Sequence, residues 1–214
     1  MNKVDARGPS GFLALGDSYT IGEGVEDSQR WPAQLVARLR GQGFEIDAPK
    51  FIATTGWTTD ELQDAIDAAE FTPPYALVSL LIGVNNQYRG RDLDNYADEF
   101  SSLLDFAVGM AGRDPSKLLV VSIPDWGATR FAVEQGADTS KIAAQIDQFN
   151  RIARSHAEAR GAQWIDVTGI SRGQPSGWLT QDGLHPSAEQ YACWVEAIAP
   201  YARLALDLAA HGRA

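Results

Sequence analysis

Apolar positions along the chain follow two rhythms. Short continuous runs read as strands: "FLALG" (12–16), "KFIAT" (50–54), "YALVSLLIG" (75–83), "KLLVVSIP" (117–124) and "QWIDVT" (163–168). Two of them carry unbroken Leu/Val/Ile stretches, the pattern of parallel strands buried on both faces. Between the runs lie amphipathic segments that predict helices near 28–41, 59–70, 93–111 and 139–160. In the last of these, Ile142, Ile146, Phe149 and Ala153 form one apolar stripe. A final helical segment, 186–210, carries Tyr191, Val195, Ile198 and Leu204, and Pro200 is expected to kink or break it. "GRDPS" and "SRGQPSG" read as loops. The alternation predicts an α/β protein, a three-layer α/β/α sandwich on about five parallel strands.

With no internal repeat, low-complexity segment or linker, the expectation is a single domain over residues 1–214, with 1–10 as a flexible N-terminal tail. In open α/β sheets, ligands bind beyond the carboxyl ends of the strands. Here the first three strands run into Gly16-Asp17-Ser18, Thr54-Thr55-Gly56 and Gly83-Val84-Asn85-Asn86. The polar and glycine-bearing punctuation therefore falls on one edge.

Composition narrows the partners. The 214 residues are 44% apolar and 21% charged, an ordinary globular balance. A net charge of −10 argues against nucleic acid and anionic membranes. The lone cysteine, Cys193, rules out an internal disulfide and reads as a packing residue in "YACWVEAI". The polar start "MNKVDARGPSG" lacks a signal-type apolar region, and no run approaches a membrane span. A cytoplasmic protein without a stable membrane anchor is expected.

Only three histidines are available as a general base. His211 lies near the C-terminus, and His156 sits near the apolar edge of an amphipathic helix, where it reads as structural. His185, in "QDGLHPS", is followed by Pro186, which suits the first turn of a helix and holds the histidine in place. Asp182, three residues earlier, either orients the imidazole through Nδ1–H or caps loop backbone groups. Together they make only two metal ligands, so no metal and no cofactor are expected. Ser18 is either a helix cap or a nucleophile. A phosphate loop is disfavoured there: neither GxxxxGK[ST] nor GxGxxG is present, and Glu23 and Glu26 precede the first cation, Arg30.

"GISRG" (169–173) fits a nucleophile elbow, but "QPSGW" follows where the elbow needs a helix, so Ser171 reads as a loop serine. Asp17 reads as a loop anchor through backbone hydrogen bonds. Trp57, Trp126, Phe131 and Trp178 are either walls of a substrate pocket or packing beneath loops.

Four segments, "GDSYTIGEG", "ATTGWTT", "IGVNNQ" and "DGLHPSAEQY", stand in the order found in the SGNH, or GDSL-type, hydrolase superfamily, which the chain resembles from residue 16 to about 191. The resemblance implies a flavodoxin-like α/β/α fold. It implies Ser18 as nucleophile, His185 as base and Asp182 as its partner. It also implies an oxyanion hole of the Ser18 N–H, the Gly56 N–H and the Asn85 side-chain amide. Tyr19 replaces the family's usual Leu, and Asn86 replaces its usual Asp. The function implied is a serine esterase on small to medium acyl esters. A thioesterase or acyltransferase would use the same groups, and a non-enzymatic flavodoxin-like binding module is the contrasting reading.

Overall fold

A computed structural model describes residues 10–175 and 177–211, the side chains of 208–211 excepted. Apart from Ser10, the expected N-terminal tail lies outside the described residues, as does the side chain of His211. Five strands form one parallel sheet: β1 (Phe12–Gly16), β2 (Pro49–Ala53), β3 (Leu77–Leu81), β4 (Leu118–Val121) and β5 (Gln163–Ile165), in the order β2-β1-β3-β4-β5. That is the flavodoxin-like order, with its switch point at β1 and β3. Every residue of β1, β3 and β4 is buried, which explains why their sequences read as continuous apolar runs rather than alternating ones.

The connecting helices are α1 (Ser18–Ile21), α2 (Trp31–Gly41), α3 (Thr59–Asp67), α4 (Val84–Tyr88), α5 (Leu93–Met110), α6 (Arg130–Glu134), α7 (Thr139–Ala159), α8 (Thr168–Gly173) and α9 (Ala188–His211). Helices α2 and α9 pack on each other, and α5 packs against both α3 and α7. The large side chains Trp31, Trp194, Tyr96 and Phe100 are almost wholly buried between the layers and the sheet. Each such side chain contributes roughly 1.5–3 kcal/mol by leaving water.

Two sequence expectations are corrected. Pro200 does not break helix α9, which continues from Ala188 to His211 with the proline inside it, so only the expected break is overturned. Proline deprives the carbonyl four residues back of its donor, but Glu196 and Pro200 are both exposed, so water can take that place. Ile198, Ala199, Ala202 and Ala205 remain buried around the proline and hold the helix in place. Ser171 lies in α8, not in a loop. It is buried: its Oγ accepts from Asp125 N at 2.8 Å and donates to the Thr168 carbonyl at 2.7 Å. Its hydroxyl is thus engaged in joining α8 to the loop after β4.

The ends of β1, β2 and β3 deliver the site edge. Gly16 closes β1 where a Cβ would lie 2.4 Å from the Leu81 carbonyl and 2.2 Å from Thr20 Oγ1. Only glycine lets β1, β3 and α1 approach so closely. The chain then turns at once into α1, capped by Asp17 through Tyr19 N at 3.0 Å.

Candidate active site

A cavity of about 200 Å³ opens at the carboxyl edge of the sheet. Four separate segments meet there. Ser18 comes from the first residue of α1, Gly56 from the loop after β2, Asn85 from α4 and His185 from the turn before α9.

His185 is held by its own turn. Asp182 Oδ2 lies 2.6 Å from His185 Nδ1. Its other oxygen accepts from Thr180 Oγ1 at 2.7 Å, Leu184 N at 2.8 Å and His185 N at 3.0 Å. Burial alone would raise the Asp182 carboxyl. The hydrogen bonds from His185, Thr180 and the two backbone N–H groups outweigh it and bring the group down to about 2. A carboxylate facing Nδ1 favours the tautomer with the proton on that nitrogen and the lone pair on Nε2. The turn is tied outward as well: Phe131 N donates to the Gly183 carbonyl at 3.0 Å, and Arg130 donates to the Gln181 carbonyl at 3.0 Å. His185 is buried and lies against the Tyr19 ring, with centroids 5.5 Å apart. Tyr19 therefore fills the space under the histidine.

Asp17 anchors the loop through backbone groups, as its sequence position suggests. Its Oδ1 takes the Tyr19 N–H, while Oδ2 is buried and unpartnered among the described residues. Burial pushes its carboxyl up to about 7, against the smaller lowering effect of backbone hydrogen bonds.

Gly56 adopts φ +88°, a conformation that favours glycine, and no described group accepts from its N–H. Asn85 Nδ2 donates one hydrogen to the Trp57 carbonyl at 2.9 Å, which leaves its second amide hydrogen unassigned. Asn86 is wholly buried and forms a reciprocal pair with Thr59. Its Oδ1 accepts from Thr59 N at 3.1 Å, and its Nδ2 donates to Thr59 Oγ1 at 2.6 Å. The pair fastens α4 to the start of α3.

The remaining wall is apolar and aromatic. Trp126 lines the cavity, with its Nε1 bonded to Gln87 Oε1 at 2.7 Å and Gln87 in turn bonded to Gln145 at 2.9 Å. Tyr88 meets Trp126 edge-on at 5.3 Å, and Phe131 lies 6.3 Å from it on centroid distance. Trp57 and Trp178 are half-buried and are not among the lining residues. Thr55, Val84, Tyr88 and Leu184 line the cavity without having been singled out in the sequence. Tyr88 had one available signal: it falls three residues after Asn85, and so on the same side of a helical turn. His156 lies in the last turn of α7, and Cys193 is half-buried in α9; neither lines the cavity.

A parallel sheet in this flavodoxin-like order, with its loops gathered at the switch point, places the chain among doubly wound α/β proteins. The model of the GDSL-like lipase/acylhydrolase family matches residues 14–193, and the chain belongs to that family. The search of curated protein sequences found no match. Among solved structures, TesA is similar at 21% identity, with 91% of this chain and 99% of that chain covered and a TM-score of 0.71. The psychrotrophic esterase EstA from a Pseudoalteromonas species, inhibited by monoethylphosphonate, is similar at 15% identity, covering 92% and 99%, with a TM-score of 0.70. The acetylxylan esterase Axe2 from Geobacillus stearothermophilus is similar at 17% identity, covering 90% and 94%, with a TM-score of 0.70. At these identities the likeness is one of fold. Among the described residues, no helix is long and apolar enough to cross a membrane.

Proposed function

We propose that this protein is a serine esterase that hydrolyses small to medium acyl esters by way of an acyl-enzyme. The observation that carries the reading is the convergence of Ser18, Gly56, Asn85 and His185 on one cavity, with Asp182 bonded to the far side of the imidazole at 2.6 Å. The Ser18 hydroxyl attacks the ester carbonyl while His185 Nε2 takes its proton. Asp182 keeps the imidazole in the required tautomer and stabilises the imidazolium. The carbonyl oxygen becomes an oxyanion and accepts from the Ser18 N–H, the Gly56 N–H and Asn85 Nδ2. One such donor is worth roughly 2.7–4 kcal/mol in the transition state. Imidazolium returns the proton to the leaving alkoxide. His185 then activates a water that attacks the acyl-enzyme, and collapse of the second oxyanion frees the acid and Ser18.

The cavity's modest volume and its wall of Val84, Tyr88, Trp126, Phe131 and Leu184 support small apolar acyl or alcohol groups. Two of the structural neighbours named above are esterases, which supports the same chemistry.

The test is hydrolysis of p-nitrophenyl esters from acetate to decanoate by the wild type and by Ser18→Ala. The expected result is wild-type turnover that peaks at the shorter chains and is lost in the variant. Equal rates in the two proteins would overturn the assignment and favour a binding role for the turn after β1.

A further inference from the structure

Helix α4 reaches the site twice. Asn85 lies at its start, and Arg89 caps its end four residues later, so both project toward the loop after β2. The Arg89 guanidinium donates to the Gly56 carbonyl at 2.6 Å and to Glu61 Oε1 at 3.1 Å. Glu61 is itself fixed, since its other oxygen accepts from Thr58 N at 2.9 Å in the capping box of α3.

Building on the esterase reading above, we infer that Arg89 is a positioning residue for the oxyanion hole: by holding the Gly56 carbonyl it fixes the peptide that follows Gly56 and so, through the Gly56 Cα, restrains the N–H on the preceding peptide. The loop shows why a clamp is needed. Gly56 has no Cβ, its φ is positive, and a Cβ built there would meet nothing closer than Arg89 Nη2 at 3.9 Å. Side-chain packing therefore does not hold this residue. Hydrogen bonds hold it instead. The peptide joining Gly56 to Trp57 is gripped on its carbonyl by Arg89 and on its N–H by the Thr54 carbonyl at 3.3 Å. The next carbonyl, that of Trp57, is gripped by Asn85 at 2.9 Å. Of these, the Arg89 bond is the shortest and is charge-assisted. Without it the peptide after Gly56 turns more freely, the Gly56 Cα that joins it to the Thr55–Gly56 peptide shifts with it, and the N–H on that preceding peptide loses its aim at the oxyanion.

A purely structural role makes a different forecast. The Arg89 and Glu61 side chains are 41% and 38% exposed, and ion pairs of that kind add little to stability. A loss of activity through misalignment should therefore come with little loss of fold.

The experiment compares wild type, Arg89→Met, Arg89→Lys and Ser18→Ala on p-nitrophenyl acetate and on its thiono analogue, whose C=S is a poor hydrogen-bond acceptor. Thermal unfolding is followed in parallel. Arg89→Met is expected to lower kcat about 10-fold or more, in keeping with the cost of small displacements at a reacting centre, while KM stays within about threefold. Because the lost contact acts on the oxyanion, the rate ratio of oxo to thiono ester should fall. Arg89→Lys, which keeps a donor for the Gly56 carbonyl, should recover part of kcat and of the ratio. Wild-type kcat in both Arg89 variants overturns the clamp alone, and so does a fall in kcat with an unchanged ratio. Full activity in Ser18→Ala overturns the esterase reading and the clamp with it.

Discussion

Asp182 Oδ2 and His185 Nδ1 lie 2.6 Å apart across a three-residue step, and the same carboxylate ties down the turn that carries them. One aspartate thus orients the ring and shapes the backbone beneath it. Asp182→Asn can keep a carbonyl acceptor for the backbone N–H groups but removes the charge that stabilises an imidazolium. Its kcat should fall by up to about 10⁴-fold, the scale of the tautomer and charge effect in a Ser-His-Asp triad. The carboxyl is held at about 2, below its ordinary 3.8. Its stabilisation is therefore complete above pH 3.8 and disappears as pH falls toward 2. Urea unfolding between about pH 5 and pH 2 should show a steeper decline for wild type than for Asp182→Asn. Parallel curves would mean that the carboxylate contributes nothing specific to the fold.

Much of the architecture was legible because β1, β3 and β4 are buried on both faces and so leave continuous apolar runs. The expected strands over 75–83 and 117–124 were too long by several residues, since the apolar run continues past the last ladder position. The short helices α4 and α6 left no mark on the sequence pattern because five residues are too few to show a helical period. Pro200 and Ser171 misled for one reason: local preference was outweighed by tertiary packing and by a buried hydrogen-bond pair. At the site, elimination among three histidines singled out His185, while Ser18 and Asp182 each kept two readings until the resemblance of the four segments chose the catalytic one. Arg89 did not stand out, because its role rests on reaching a backbone carbonyl 33 positions away.

Asp17 stands next to Ser18 with its carboxyl pushed up to about 7 by burial. The neutral acid is therefore the form the fold prefers. Its contribution is complete below the unfolded value of 3.8 and is lost as pH rises from there through about 7. That span corresponds to a cost on the order of 4 kcal/mol for carrying the ionised form at high pH. Asp17→Asn has the shape of the neutral acid and can still accept from the Tyr19 N–H. Its stability relative to wild type should rise between about pH 4 and pH 8, read from urea midpoints at each pH. A difference that stays constant with pH would show that Asp17 does not change charge on folding.

Asn86, where the family commonly carries Asp, fits a relay that a carboxylate would break. Thr59 has one hydroxyl proton, and it goes to Glu99. The Thr59 oxygen is thereby left as an acceptor, and the Asn86 amide supplies the donor at 2.6 Å. Asn86→Asp would place a second carboxylate against that oxygen, with no proton left for it and with Glu99 beyond. The Thr59 N–H could serve only one of its two oxygens. A buried charge left short of donors costs about 3 kcal/mol or more. The loss should be largest at neutral pH and shrink in acid, where the new carboxyl is protonated. Glu99→Gln offers the remedy: the glutamine amide can donate to Thr59, and the hydroxyl can turn toward the carboxylate introduced at position 86. The double variant should therefore be more stable than the sum of the single changes, by about 1–2 kcal/mol in a mutant cycle at neutral pH. Because the Asn86–Thr59 pair fastens α4 to α3, Asn86→Asp should also lower kcat by disturbing Asn85, and Glu99→Gln should restore it in step with stability. Additive effects in the cycle would mean that Asn86 and Glu99 do not communicate through Thr59.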